Sequence, residues 1–291
     1  MGSIANDPSL VVIVGPTASG KSALAVNLAK RFNGEIIAAD SRTVYRGMDI
    51  GTAKPSMNDR TAVPHHLLDI VNPDDSFTVA DFQRLAKRAV VDIAARGRVP
   101  FLVGGSGLYI DAVIYDFGLR PAADPAGRAE LQKLSVDELQ ERILDKGIAL
   151  PFNKRNPRHL IRTLETGGLT PVKGNLRSNT LVIGLDADKE DLEVKIAKRV
   201  SAMVDAGFVE EVRRLAARYG WDSPALQAPG YRSFQEYIGG TVSLEEAKRL
   251  FVQRDLQYAK RQKTWFKRSS DIHWISNPEE AVDLVTTFLN N

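Results

Sequence analysis

Cysteine is absent from the 291-residue chain, which excludes a disulfide framework and a Cys-ligated zinc site and suits a reducing compartment. No apolar run approaches the ~20 residues needed to span a bilayer, and the short, polar N-terminus carries no secretory signal. The expectation is therefore a cytoplasmic protein with no membrane segment. Internal repeats and low-complexity tracts are also missing. Only four histidines occur, and the adjacent pair His65 and His66 would point to opposite faces of an extended segment, which argues against joint metal ligation. A net charge of +3 is too small to imply nucleic acid by itself. What remains, 43% hydrophobic residues at this length, suffices for one large domain or for a core with an inserted subdomain.

The most informative feature present is the run Gly15, Pro16, Thr17, Ala18, Ser19, Gly20, Lys21, Ser22. It completes the pattern G-x-x-x-x-G-K-[ST] directly after the apolar stretch Leu10 to Val14. In such a loop the glycines let successive backbone N–H groups converge on a phosphate. Lys21 reaches the outer oxygens, and the Ser22 hydroxyl is placed to ligate Mg²⁺ at the start of the next helix. The motif identifies a phosphate site without saying whose phosphate it holds.

Strand-like runs at Leu10 to Val14, Glu35 to Ala39 and Val99 to Val103 each end at or just before a polar or glycine loop. Helical patterns from Lys21 to Phe32 and from Thr78 to Arg96 lie between them, the second opened by a capping box of Thr78 and Asp81. This alternation predicts an α/β fold, a P-loop NTPase-like parallel sheet flanked by helices, with ligands outside the carboxyl ends of the strands. The pattern then changes, and residues 118–180 read as a mainly helical inserted subdomain. The catalytic core would be discontinuous, 1–117 and 181–291. After a strand near Leu181 to Asp186, long amphipathic helices follow at Lys189 to Ala206 and Val209 to Tyr219. Next come a loop from Gln227 to Arg232, a helix from Ser243 to Arg268 and a strand at Ile272 to Ile275.

Charge is unevenly spread. Residues 151–180 hold six basic side chains against one acid, and residues 248–268 hold eight against one. Each cluster is open to two readings, a solvated face or a surface for a polyanion.

Several side chains are candidates for chemistry. Asp40 closes a predicted strand beside the phosphate loop and is open to three readings: an indirect Mg²⁺ ligand, a general base acting on an acceptor, or a cap. The strand Val99 to Val103 ends in Gly104, Gly105 and Ser106 rather than an acid, so the carboxylate of an ordinary ATPase is missing there. The polar stretch from Asp40 to Pro55 is long for a loop with no role. Ser106 is either a hydrogen-bond donor to phosphate or acceptor base, or the N-cap of a helix from Gly107 to Tyr115. Arg232 is either a clamp on a leaving diphosphate or a surface arginine.

Taken in order, these motifs resemble the bacterial tRNA dimethylallyltransferases. The resemblance rests on the phosphate loop, on Asp40, Ser41 and Tyr45 to Pro55, on Pro64 to Asp69 and on Leu102 to Tyr109. It continues through Gly230, Tyr231 and Arg232 and through Ala259 to Trp265, covering about residues 10–277. It implies transfer of a dimethylallyl group from dimethylallyl diphosphate, with Mg²⁺, to the exocyclic amine of an adenosine beside the anticodon. The phosphate loop then holds a prenyl diphosphate where relatives of the fold hold ATP. The resemblance makes Asp40 the general base and puts Ser106 where the family usually has threonine. Lys21 and Arg232 become the cations on the leaving diphosphate, and Ser22 the Mg²⁺ ligand. It further implies tRNA contacts at Asp40, Ser41, Arg42, Thr43, Ser106, Arg128, Arg158, His159, Leu160, Ile161 and Arg162. The partner would be a tRNA anticodon stem-loop; no obligate protein partner is predicted, and a monomer is expected.

Departures from the family pattern are a short insertion with Asn153 to Pro157 in an altered segment, Leu256 in place of an arginine, and Ala228 and Pro229 before the Gly-Tyr-Arg run. The rival reading is an adenylate isopentenyltransferase acting on free AMP, ADP or ATP. A small-molecule kinase and a catalytically silent RNA-binding protein are further alternatives.

Overall fold

The structure, a computed structural model, describes residues 7–115, 117–119, 124–169 and 173–291. The chain divides into two compact units, Met1–Ile114 with Leu176–Asn291, and Tyr115–Asn175.

The first unit is built on a six-stranded sheet. Its strands are β1 (Leu10–Val14), β2 (Gly34–Ala38), β3 (His65–His66), β4 (Val99–Gly104), β5 (Thr180–Leu185) and β6 (Ile272–Ile275), in the spatial order β3-β2-β4-β1-β5-β6. Every pairing is parallel; Val12 sits opposite Leu102 on one side and Val182 on the other. Parallel sheets are covered on both faces, which is why β1 reads as an unbroken apolar run and is fully buried. One face packs α1 (Lys21–Arg31) and α12 (Pro278–Asn290) around Leu28, Phe101, Ile183 and Val285. Helices α2 (Met57–Ala62), α3 (Val79–Ala95) and α4 (Gly107–Ile114) complete the first half of this unit.

In the second half, α8 (Lys189–Asp205), α9 (Phe208–Tyr219), α10 (Pro229–Ile238) and α11 (Leu244–Phe266) form a separate core around Phe208, Tyr231, Phe234 and Phe251. Val44, Tyr45 and Met48, from the long polar stretch, are buried in that same core. The stretch is thus held by packing as well as by hydrogen bonds.

Local signals set most boundaries. Thr78 and Asp81 form the expected capping box of α3, and Ser243 accepts the Glu246 N–H at the start of α11. One expectation fails: residues 229–232 are not a loop but the first turn of α10. Pro229 is the reason, because proline at the first helical position loses no hydrogen bond and has the helical φ already set.

The second unit contains α5 (Pro125–Gln132), α6 (Val136–Asp145) and α7 (Pro157–Thr166). Leu139 and Ile143 of α6 pack on Leu160, Ile161 and Leu164 of α7. The Glu165 carboxylate, nearly buried, takes bonds from Arg128 (2.9 Å) and Arg162 (3.2 Å).

Candidate active site

The loop after β1 carries the backbone geometry its sequence demands. Gly20 has φ 90°, and Ala18 also lies in the left-handed region at 62°. Gly104, where β4 ends, lies so close to the Ala39 carbonyl that any side chain would collide with it. This close approach brings the ends of β2 and β4 together beside the loop.

Two cavities meet here. The first, about 400 Å³, is lined by Thr17, Ala18, Gly20, Lys21 and Ser22 of the loop, by Asp40, Thr43, Thr52 and Ala53, and by Arg199. The second, about 280 Å³, is lined by Asp40, Ser41, Arg42, Gly51 and residues 227–230, and by Asp255, Tyr258 and Arg261 of α11. Thr17, Asp40, Thr52, Ala53 and Arg199 border both, so Asp40 stands where a ligand in one would meet a ligand in the other.

Lys21 donates to the Pro16 carbonyl of its own loop at 3.0 Å. Burial of its ammonium lowers its pKa to about 8; Asp40 opposes this shift and Arg199 adds to it. Asp40 accepts the Arg42 N–H at 2.8 Å, which fixes its carboxylate in a local turn. Arg199 projects from α8, donating to Thr17 Oγ1 (2.8 Å) and to Asp255 (2.6 Å). Burial raises the Asp255 pKa, although Arg199 pulls the other way.

Among the described residues, three buried side-chain polar atoms lack a hydrogen-bond partner. Two of them, Ser19 Oγ and Arg199 Nε, belong to residues of the loop and of the cavity wall. Buried polar atoms are ordinarily satisfied, so this pair fits a site whose ligand supplies oxygen acceptors.

The expected residues are brought together unevenly. Lys21, Ser22, Asp40, Ser41, Arg42 and Thr43 all line the two cavities. Ser106 is buried and lines neither; its hydroxyl accepts the Ser41 N–H at 3.0 Å and is hydrogen-bonded to Tyr258. Arg232 stands apart: its side chain is exposed on α10 and borders neither cavity, because the helix turns the adjoining Tyr231 into the core. In the second unit Arg158 and His159 are exposed and Arg162 half-buried, whereas Leu160 and Ile161 are buried among apolar neighbours. Contacts of those two side chains with a nucleic acid are corrected accordingly; their place is that unit's core. Arg128 is partly engaged by Glu165.

Three residues escaped sequence reasoning. Arg199 lies on the apolar stripe of α8, three residues after Ile196 and four before Met203, and a cation on such a stripe was the available signal. Gln262 spans two loops: its Oε1 accepts the Thr17 N–H (2.8 Å) and its Nε2 donates to the Gly105 carbonyl (3.0 Å). Glu211, also buried, accepts the N–H groups of Asp49, Ile50 and Gly51 at 2.8–3.0 Å and the Tyr231 hydroxyl at 2.7 Å. Gln262 lies within the Ala259 to Trp265 motif, but nothing in the local sequence gives either residue its bracing role, since both act across long separations.

A parallel sheet with a phosphate loop after a central strand, an acid at the tip of the neighbouring strand and two cavities meeting at that acid define a phosphate-binding α/β core of the P-loop class. The IPP transferase family model matches residues 43–269. The chain belongs to that family. It is 44% identical over 290 residues to a tRNA dimethylallyltransferase of Roseiflexus sp., covering 94% of each chain. Among solved structures it is similar to the full-length tRNA isopentenylpyrophosphate transferase of Bacillus halodurans, with TM-score 0.75, 41% identity and coverage of 97% and 96%. A eukaryotic dimethylallyltransferase acting on tRNA aligns with TM-score 0.74 and 26% identity over 92% of this chain and 73% of that one.

Proposed function

We propose that the protein transfers a dimethylallyl group from dimethylallyl diphosphate to the exocyclic N6 amine of an adenosine next to the anticodon of tRNA. The observation that carries this reading is the position of Asp40 on the shared border of the two cavities. The diphosphate is assigned to the first cavity, on the loop N–H groups, Lys21 and Arg199. The adenine is assigned to the second, against Tyr258 and Arg261, and Ser106 acts there only through Ser41 and Tyr258.

The allylic C–O bond breaks and its electron pair leaves with the diphosphate, while the amine nitrogen forms the new N–C bond. Its proton passes to the Asp40 carboxylate. Charge that develops on the leaving group is met by Lys21 and Arg199. The amine is a weak nucleophile because its lone pair is delocalised into the ring, and a carboxylate in reach supplies what it lacks. The target base must leave the stack of its loop to enter the second cavity.

Among the described residues there is no cluster of three acids or histidines suited to a metal. The donor set fits Mg²⁺ carried mainly by the diphosphate, with Ser22 adding its hydroxyl. When bound, the ion would offset charge on the departing oxygens.

Radiolabelled dimethylallyl diphosphate offered with an unmodified anticodon stem-loop, beside AMP and ATP, tests the reading. Label in the stem-loop that is lost in Asp40→Asn supports it. Label in free nucleotide alone would move the protein to the adenylate isopentenyltransferases.

A further inference from the structure

Among the described residues of the unit formed by 115–175, the large apolar side chains of Leu144, Phe152 and Leu169 are exposed, and Phe152 is the most exposed of the three. Phe152, in the turn between α6 and α7, is fully exposed. The turn nevertheless has a fixed shape. Gln140 Nε2 donates to the Lys154 carbonyl (2.5 Å), Asn156 N–H donates to the Asn153 carbonyl (3.1 Å), and Asn156 Oδ1 accepts the Arg158 N–H (3.1 Å). Phe152 is thus held out by a turn with its own hydrogen bonds.

The segment that carries it has one sign of charge between Asp145 and Glu165. From Lys146 to Leu164 the sequence contains Lys146, Lys154, Arg155, Arg158 and Arg162 and no acid. Arg162 is engaged by Glu165, whereas Lys154, Arg155 and Arg158 are exposed. An apolar ring alone would suit many partners. A ring flanked by three exposed cations suits a polyanion with flat, unpaired aromatic faces, which is the chemistry of a single-stranded nucleic-acid loop.

We propose that Phe152 is a stacking platform for an unpaired base of the substrate RNA, with Lys154, Arg155 and Arg158 on the adjoining phosphates. This rests on the RNA-transferase reading above. Phe152 thereby acts as a positioning residue for the RNA and has no part in the bond changes.

The test measures binding of an unmodified anticodon stem-loop to the full-length protein across a salt series. The variants are Phe152→Ala, Phe152→Trp and a triple Lys154→Ala, Arg155→Ala, Arg158→Ala. Stacking lost at one base predicts about tenfold weaker binding for Phe152→Ala, with the salt slope unchanged and affinity regained in Phe152→Trp. The triple variant flattens the slope by about 2, as expected for three lost phosphate contacts on a single strand. In steady state Phe152→Ala raises KM for the stem-loop and leaves KM for dimethylallyl diphosphate unchanged.

Wild-type affinity in Phe152→Ala would overturn the inference while leaving the transferase reading intact. A sedimentation shift in that variant with unaltered RNA binding would also overturn it, assigning the ring to a contact between copies of the chain. A wild-type protein that neither binds nor labels the stem-loop would remove both readings together.

Discussion

Lys21 reports the state of the phosphate loop through its proton. With its pKa lowered to about 8 by burial, the empty site is partly deprotonated at mildly alkaline pH. An anionic diphosphate favours the charged form, so binding near pH 8 draws a proton from solution. Calorimetry of a non-reactive dimethylallyl diphosphate analogue in buffers of different ionisation enthalpy should reveal this uptake, and Lys21→Arg should remove it. A second expectation concerns the guanidinium. Arg199→Ala should lower kcat by about 100-fold or more, in the range seen on removing a group that stabilises developing charge, while Arg232→Ala should cost less than about tenfold. Equal losses in single-turnover rates would return Arg232 to the leaving group. The contrast shows where residue-level reading stopped. The glycine loop and Asp40 were legible because their chemistry lies in short motifs. Arg232 was singled out for its neighbours in sequence, and only the turn of α10 fixes where its side chain goes.

At the scale of elements, the segment 49–54 is a loop made rigid from two sides. Glu211 gathers three of its N–H groups, and Lys54, whose side chain is almost wholly buried, donates to the Tyr45 carbonyl and to Asp49 and Asp69. Thr52 and Ala53, between these anchors, line both cavities. Removing a carboxylate that serves one buried hydroxyl and three part-buried N–H groups leaves them without that partner, at about 1–3 kcal/mol for each that water does not reach. Glu211→Ala should therefore lower the unfolding free energy by about 3 kcal/mol or more and raise KM for dimethylallyl diphosphate, whereas Tyr231→Phe, which deletes only one bond, should have a small effect. Denaturant melts with matched kinetics would decide, and a Glu211→Ala protein of wild-type stability would contradict this account. Strands and capped helices were readable in advance from apolar runs and from Thr78 or Ser243. Glu211 and Gln262 were not, because a single acid or amide acquires its meaning only from backbone groups more than 150 residues away.

For the molecule as a whole, charge behaves differently in three dimensions from its order along the chain. Among the described residues, five of the eight cations between Lys248 and Arg268 are ion-paired: Lys248, Arg249, Arg254, Lys263 and Lys267 meet Glu245, Glu246, Glu236 and Asp186. Two of those acids lie outside the counted segment on other elements, and two directly precede it. A count restricted to the segment could not register them. On β2, the strand next to the sheet edge, Glu35 is buried. That burial works to raise its pKa, but hydrogen bonds from Arg96 and His66 outweigh it and hold the carboxyl below its ordinary value. The stabilisation is therefore present above the unfolded carboxylate pKa and lost as pH falls through the lower folded value. Thermal unfolding across the acid range should show this decline in the wild type and a shallower one in Glu35→Gln; parallel curves would count against it.

The brace that Gln262 places between Thr17 and Gly105 also bears on how the protein is made. Thr17 is synthesised 245 residues before its partner, an interval of roughly ten to fifty seconds at ordinary elongation rates. Throughout it, the nascent chain carries its phosphate loop without α11, and hence without the wall on which Asp255, Tyr258 and Arg261 stand. A fragment that ends before α11 bears the most recognisable motif of the enzyme and lacks the α11 side of the second cavity.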